Sequence, residues 1–170
     1  MSRSFIAVLA LILLAVGAVA VPSLRRALDT PGVQGGLGEL RSFQSAEISY
    51  ANENGGYFDE PSCLGAPSGC IPRYRAAGTP FLDPGLATLR PSMGYAFRFH
   101  AGPRPQLSDR ERAKVSKSSI VSYALVAEPV PRRNLRAFCG DASGRLCVRK
   151  DGTMPDVKDG QCPQDCETLR

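Results

Sequence analysis

The sequence predicts an α+β domain: an apolar N-terminal helix and an amphipathic helix packed on a small antiparallel β-sheet, with loops stapled by disulfides. Three observations carry this. Phe5 to Val21 (FIAVLALILLAVGAVAV) is seventeen residues without one polar or charged side chain. Residues 37–54 repeat apolar side chains at helical intervals, and residues 94–100 and 119–128 are alternating or dense in aromatic and β-branched residues, as strands are. At 170 residues the chain has room for one modest domain, and fourteen prolines with seventeen glycines disfavour a helical bundle or a coiled coil. The net charge of +5 is spread along the chain, not gathered into a dense basic stripe, which argues against nucleic acid as a partner.

Taken in order, residues 1–4 form a short N-terminal segment before the apolar run. As a helix, the run from Phe5 to Val21 spans about 26 Å, slightly under the ~30 Å hydrocarbon core of a bilayer. Ser23 and Leu24 extend it, and Arg25 and Arg26 reach the headgroups. The expectation is therefore a transmembrane helix over 5–24, with the lipid bilayer as its partner. Arg3 and Ala18-Val19-Ala20 also fit a secretory signal with a small-x-small cleavage site. Either fate carries the remainder across the membrane.

Residues 25–36 read as the helix exit, with Pro31-Gly32 and Gly35-Gly36 expected to break or kink the chain. The exported domain is expected over 37–150. Its amphipathic helix, about 37–54, puts Leu37, Leu40, Phe43, Ala46 and Tyr50 on one side, leaving Arg41, Ser45, Glu47 and Ser49 largely on the other surface. Asn54-Gly55-Gly56 supplies the left-handed stop. Residues 57–92 are a Pro-, Gly- and Cys-rich loop region, with Asp83-Pro84 a turn or short helix start. Tyr95, Phe97 and Phe99 alternate along a half-buried strand, and Ser119 to Glu128 is expected at the centre of the sheet. Pro103 to Lys117, with five basic and two acidic side chains, reads as a solvated connection, with a surface for acidic lipid or a partner as the alternative. Arg136 to Val148 reads as a hairpin turning at Asp141-Ala142-Ser143-Gly144. Residues 151–170 form a polar tail in which only a cysteine pair suggests order.

All six cysteines, Cys63, Cys70, Cys139, Cys147, Cys162 and Cys166, lie beyond the apolar run. An even count in a small exported domain reads as a disulfide framework. Six cysteines allow fifteen connectivities; proximity favours the neighbour pairs Cys63–Cys70, Cys139–Cys147 and Cys162–Cys166. Zinc is disfavoured, because no two cysteines have C-x-x-C spacing and the single histidine, His100, is isolated.

This chain order resembles the type IV pilin and type II secretion pseudopilin family. The resemblance rests on several pieces: Val19-Ala20-Val21-Pro22-Ser23-Leu24 at the helix exit, Leu40 to Ala46 with Tyr50 and Gly56-Tyr57 at the second helix, Gly94-Tyr95-Ala96-Phe97 at the first strand, then Tyr123 to Pro129, Arg136-Ala137-Phe138 and Asp141 to Leu146. It implies a long N-terminal helix packed on an antiparallel sheet, in a non-enzymatic subunit of the bacterial inner membrane with its C-terminal domain in the periplasm or outside the cell. It implies other pilin or pseudopilin subunits, or secretion-assembly proteins, as partners. Family members have a leader ending in Gly before a Phe, and a glutamate four residues after that Phe. With Ser4-Phe5 at the junction, Leu9 stands at the glutamate position; with Pro22 aligned instead, Met1 becomes the first mature residue and Phe5 stands there. Neither register keeps the acid. The resemblance therefore points to a minor or tip component of a type IV pilus or type II secretion filament. The alternative is a membrane-tethered or secreted periplasmic binding domain that does not assemble.

No G-x-S-x-G, H-E-x-x-H or phosphate-loop motif is present, so no catalytic residues are assigned. His100 reads as a surface or packing residue, and Asp59-Glu60 as a turn or helix start. Asp151, Asp156 and Asp159 lie in a Gly- and Pro-containing loop that offers oxygen ligands, and related pseudopilins bind calcium in a C-terminal loop. The spacing matches no EF-hand, so a solvated loop is the expectation and calcium the alternative.

Overall fold

Among the described residues of the computed structural model the first helix, α1 (residues 32–53), runs on through Gly35-Gly36, where the sequence predicts a break. The two glycines act through the missing side chain. A Cβ on Gly35 would lie 2.7 Å from Met93 Cγ, and one on Gly36 would lie 2.6 Å from the Tyr95 ring. The helical cost of each glycine, about 1 kcal/mol, is offset by close approach to the edge of the sheet. At the other end Gly55 and Gly56 take φ of 66° and 90°, and the Gly56 amide donates to the Ala51 carbonyl at 2.7 Å, ending the helix as expected.

The structure describes residues 32–74, 78–130 and 136–169. Among them no helix is long and apolar enough to cross a membrane. The segment 1–4, the expected transmembrane helix over 5–24 and residues 25–31 of the expected exit lie outside the described residues.

Among the described residues five antiparallel strands follow in simple order: β1 (Tyr95–Ala101), β2 (Tyr123–Pro129), β3 (Ala137–Asp141), β4 (Leu146–Arg149) and β5 (Glu167–Thr168). The register runs from Tyr95 opposite Pro129 to Ala101 opposite Tyr123 in the first pair, and places Cys139 opposite Cys147 in the hairpin. Strand β2 is interior, between β1 and β3, and begins four residues later than the β-rich stretch that predicts it. The hairpin turn is the one expected. Gly144 has φ of 80°, its amide donates to the Asp141 carbonyl at 3.0 Å, and the Asp141 carboxylate accepts from the Ser143 amide and hydroxyl.

Period-two alternation sorts the sheet's side chains into two layers. Tyr95, Phe97, Tyr123, Leu125, Ala127, Phe138, Leu146 and Val148 join Leu40, Phe43, Ala46 and Tyr50 of α1 in the main core. Gly140 lets the helix sit close, since a Cβ there would come within 2.7 Å of Leu40 Cδ2. Gln44 then donates to the Asp141 and Arg145 carbonyls, fixing α1 to the hairpin. The other face carries Ala124, Val126, Cys139 and Cys147, which pack with Cys162 and Cys166 of the tail in a second cluster.

Short helices fill the connections: α2 (Pro61–Gly65), a 3₁₀ turn (Pro67–Gly69), α3 (Pro84–Ala87) and α4 (Asp109–Arg112). Asp83 caps α3 by accepting from the Gly85 and Leu86 amides. Within the expected solvated connection, α4 forms on a Ser108–Glu111 capping box, a signal the sequence reading passed over.

Two of the three expected disulfide pairs are corrected. Cys63–Cys70 forms as neighbours, but the others are Cys139–Cys162 and Cys147–Cys166. The hairpin strands are already joined by their ladder, so a bond between Cys139 and Cys147 would leave the tail untethered. Instead each hairpin cysteine bonds the tail, and the loops closed are longer, with sequence separations of 23 and 19. By loop-entropy reasoning each removes roughly 3 kcal/mol of freedom from the unfolded chain. The tail is correspondingly ordered, unlike the polar segment expected. The Arg145 guanidinium donates to the Cys162, Gln164 and Cys166 carbonyls, Asp141 accepts from the Cys162 amide, and β5 adds to the sheet. Gly160, at φ of 68°, lies where a Cβ would be 2.9 Å from the Gly102 nitrogen, so the tail's turn meets the β1 exit backbone to backbone.

Digestion without reductant, cutting after Arg145, after Arg149 and before Asp165, separates all four of these cysteines onto distinct peptides. Mass spectrometry is expected to find Cys139 linked to Cys162 and Cys147 to Cys166; a peptide pair joining Cys139 to Cys147 contradicts the assignment. Replacing Cys139 and Cys162 together by alanine should cost about 2–5 kcal/mol of stability.

Candidate functional site

The C-terminal half of α1 presents Phe43, Glu47 and Tyr50 in one stripe toward the core, and Asn54 follows directly after its last residue. This corrects the placement of Glu47 on the outer surface: it is fully buried, because it shares the helical face of Phe43 and Tyr50. Asn54 and Asp59 are fully buried as well. A polar cluster therefore sits under the end of the sheet, where apolar packing gives way to the loops 57–60 and 115–119.

Its bonds are specific. The Tyr50 hydroxyl donates to Asp59 Oδ2 at 2.7 Å, and the Asp59 amide donates to Glu47 Oε2 at 3.3 Å. Asp59 Oδ1 accepts from the Glu60 amide at 2.8 Å. Asn54 Nδ2 donates to the Tyr57 carbonyl at 3.0 Å and to Ser119 Oγ at 2.9 Å, and Asn54 Oδ1 accepts from the Ser116 amide at 2.8 Å. Glu47 Oε1 has no partner. Burial, reinforced by the Asp59 carboxylate and opposed by the Asp59 amide, pushes the Glu47 carboxyl well above the usual range. Burial and the bond to Asp59 push the Tyr50 hydroxyl up, and burial does the same to Tyr123.

Beside this cluster lies an open cleft of about 520 Å³, formed by residues 104–107, α4 and residues 113–119. Ser116 and Ser119 form its floor, and Arg104, Arg112, Lys117 and Asp109 border it. The floor is thus fixed from behind by Asn54, just past the end of α1. The cleft falls within the basic stretch 103–117, whose alternative to a solvated connection is a surface for acidic lipid or a partner. The run of basic residues is its sequence signal, and a solvated connection is the default reading of such a run.

The other predicted sites fare differently. Asp151 Oδ1 accepts from the Thr153 amide and hydroxyl, which lowers its carboxyl below the usual range, the hydroxyl bond acting most. Asp156 and Asp159 are exposed, and the Asp159 carbonyl accepts from Ser122. The structure does not gather these three aspartates. Among the described residues, the one set of three or more ligand atoms lying within 4.8 Å of one another belongs to Cys139, Cys147 and Cys162, all in disulfides. His100 lies one residue before the end of β1 with its Nε2 buried and without a partner, and burial with nearby Arg98 holds its imidazole below the usual range.

Glu47 gives a pH signature. Its folded carboxyl titrates above its unfolded one, near 4.3, so the folded state holds the extra proton between those two values. Its stabilising contribution is full below about pH 4.3 and is lost as pH rises through the folded value. In urea unfolding of the full chain in neutral detergent, Glu47→Gln should match the wild type near pH 4.5 and exceed it at pH 8. Parallel pH profiles for the two proteins contradict a Glu47 carboxyl raised by burial.

No known protein family, curated protein or solved structure matches this chain.

Proposed function

We propose that the chain is a non-enzymatic, membrane-anchored subunit of the type IV pilin or type II secretion pseudopilin type, acting as a minor or tip component of such a filament. The observation that carries this reading is α1, a long helix laid across an antiparallel sheet. It is followed by a disulfide-closed loop and then the strands in sequential order. That is the order of parts the resemblance implies, and the apolar run Phe5 to Val21 precedes α1 in the chain. The three disulfides support an oxidising compartment, which for a bacterial inner-membrane protein is the periplasm or beyond. The apolar residue at the glutamate position, Leu9 or Phe5 by register, supports a minor or tip role over that of a major subunit.

A second reading keeps the fold and drops assembly: a membrane-tethered or secreted periplasmic binding domain. The cleft beside α4 favours it.

Deleting Phe5 to Val21 while retaining export by a foreign signal separates the two. The assembly reading expects a soluble, folded, disulfide-bonded head that no longer sediments with membranes or envelope filaments. A deleted head that still co-sediments with filaments contradicts it. Sequencing the mature N-terminus is the companion measurement: Phe5 first supports prepilin-type processing, whereas Val21 first supports release.

A further inference from the structure

We propose that the cleft between residues 104–107, α4 and residues 113–119 binds a carboxylate attached to an apolar body, as a polypeptide presents at a hydrophobic C-terminal residue. The inference holds whether or not the chain assembles, because every residue it uses lies in the folded head.

The volume, about 520 Å³, is in the range of small-ligand sites. The charge around it is unbalanced. Arg104, Arg112 and Lys117 border the cleft, and none of them is in an ion pair with a described residue. Asp109 is the one acidic residue on the lining, and nearby Glu111 is turned back to the Ser108 amide and hydroxyl. Arg112 uses one donor on the Leu107 carbonyl, 3.3 Å away, which steadies the guanidinium and leaves further donors of its planar fork free. A carboxylate matches that fork better than a spherical anion does.

The floor is built, not incidental. Ser116 and Ser119 are 4% and 3% exposed, and both are held by Asn54. Ser119 Oγ accepts from Asn54 Nδ2 and donates to no described acceptor, so its proton is free for an anion in the cleft. The remaining wall is apolar, from Pro105, Leu107 and Ala113. Burying hydrocarbon against it adds affinity that a bare inorganic anion lacks.

The test uses the full chain in neutral detergent micelles, with amide chemical shifts as the readout. Three probes are titrated at low salt: an N-acetylated Gly-Leu dipeptide with a free C-terminus, the same dipeptide amidated, and inorganic phosphate. The free acid should shift amides within residues 104–119 and bind about tenfold more tightly than either other probe, as expected for one charge-assisted hydrogen bond of about 1.5 kcal/mol. Arg112→Gln, at an exposed position, should weaken it by a similar factor while the spectrum outside the cleft stays unchanged. The proposal is overturned if the amide binds equally well, if phosphate binds as tightly, if the shifts map elsewhere, or if Arg112→Gln binds like the wild type.

Discussion

Strand β2 carries two sets of side chains on opposite faces, and each set needs its own cover. Tyr123, Leu125 and Ala127 meet α1, whereas Ala124 and Val126 meet the disulfide-bonded tail. All seven residues of the strand are buried as a result. An antiparallel sheet of this size commonly leaves one face wet. Here the tail is too short and too polar to form a second layer by hydrophobic burial alone. The Cys139–Cys162 and Cys147–Cys166 bonds, with the Arg145 and Asp141 hydrogen bonds to the tail backbone, hold it in place. Asp141 joins the two ends of this arrangement, since one carboxylate builds the hairpin turn and grips the tail. Its backbone carbonyl accepts from Gln44 of α1. One residue thus ties helix, hairpin and tail.

The helix face is apolar where it crosses the sheet and polar where it leaves it. Leu40 and Phe43 pack on the strands, while Glu47, Tyr50 and Asn54 bond the loops that close the end of the core. Burying these groups costs free energy unless each finds a partner, and all but Glu47 Oε1 do. What they provide is position. Asn54 reaches across 62 residues of sequence to the Ser116 amide, so the cleft floor inherits the rigidity of α1.

Much of this was legible from the residues. The alternation of Tyr95, Phe97 and Phe99, the Asp141 to Gly144 turn and the Asn54-Gly55-Gly56 stop each arise from local stereochemistry, and each formed as read. What was missed depends on groups far apart in sequence. Gly35 and Gly36 look like helix breakers until Met93 and Tyr95 stand against them. Glu47 looks solvated because its type is polar, although its helical phase matches Phe43 and Tyr50. The cysteines looked like neighbours because loop length was the only available guide, and the tail's path over the sheet has no sequence signal. The cleft floor was invisible for the same reason: it is set by Asn54, from another part of the chain.

The proposed role as an anchored filament subunit requires a head that stays folded outside the cytoplasm while attached at one end of α1, and the two-sided cover of β2 is what gives such a head its stability. Hydrogen exchange of the full chain, with and without reductant, tests that cover most directly. With the disulfides intact, the amides of residues 123–129 should exchange in the slowest class, and those of residues 162–168 should be protected with them. After reduction the tail should lose protection first and β2 should follow. A tail that exchanges freely in the oxidised protein, beside a β2 that stays fully protected, would contradict it.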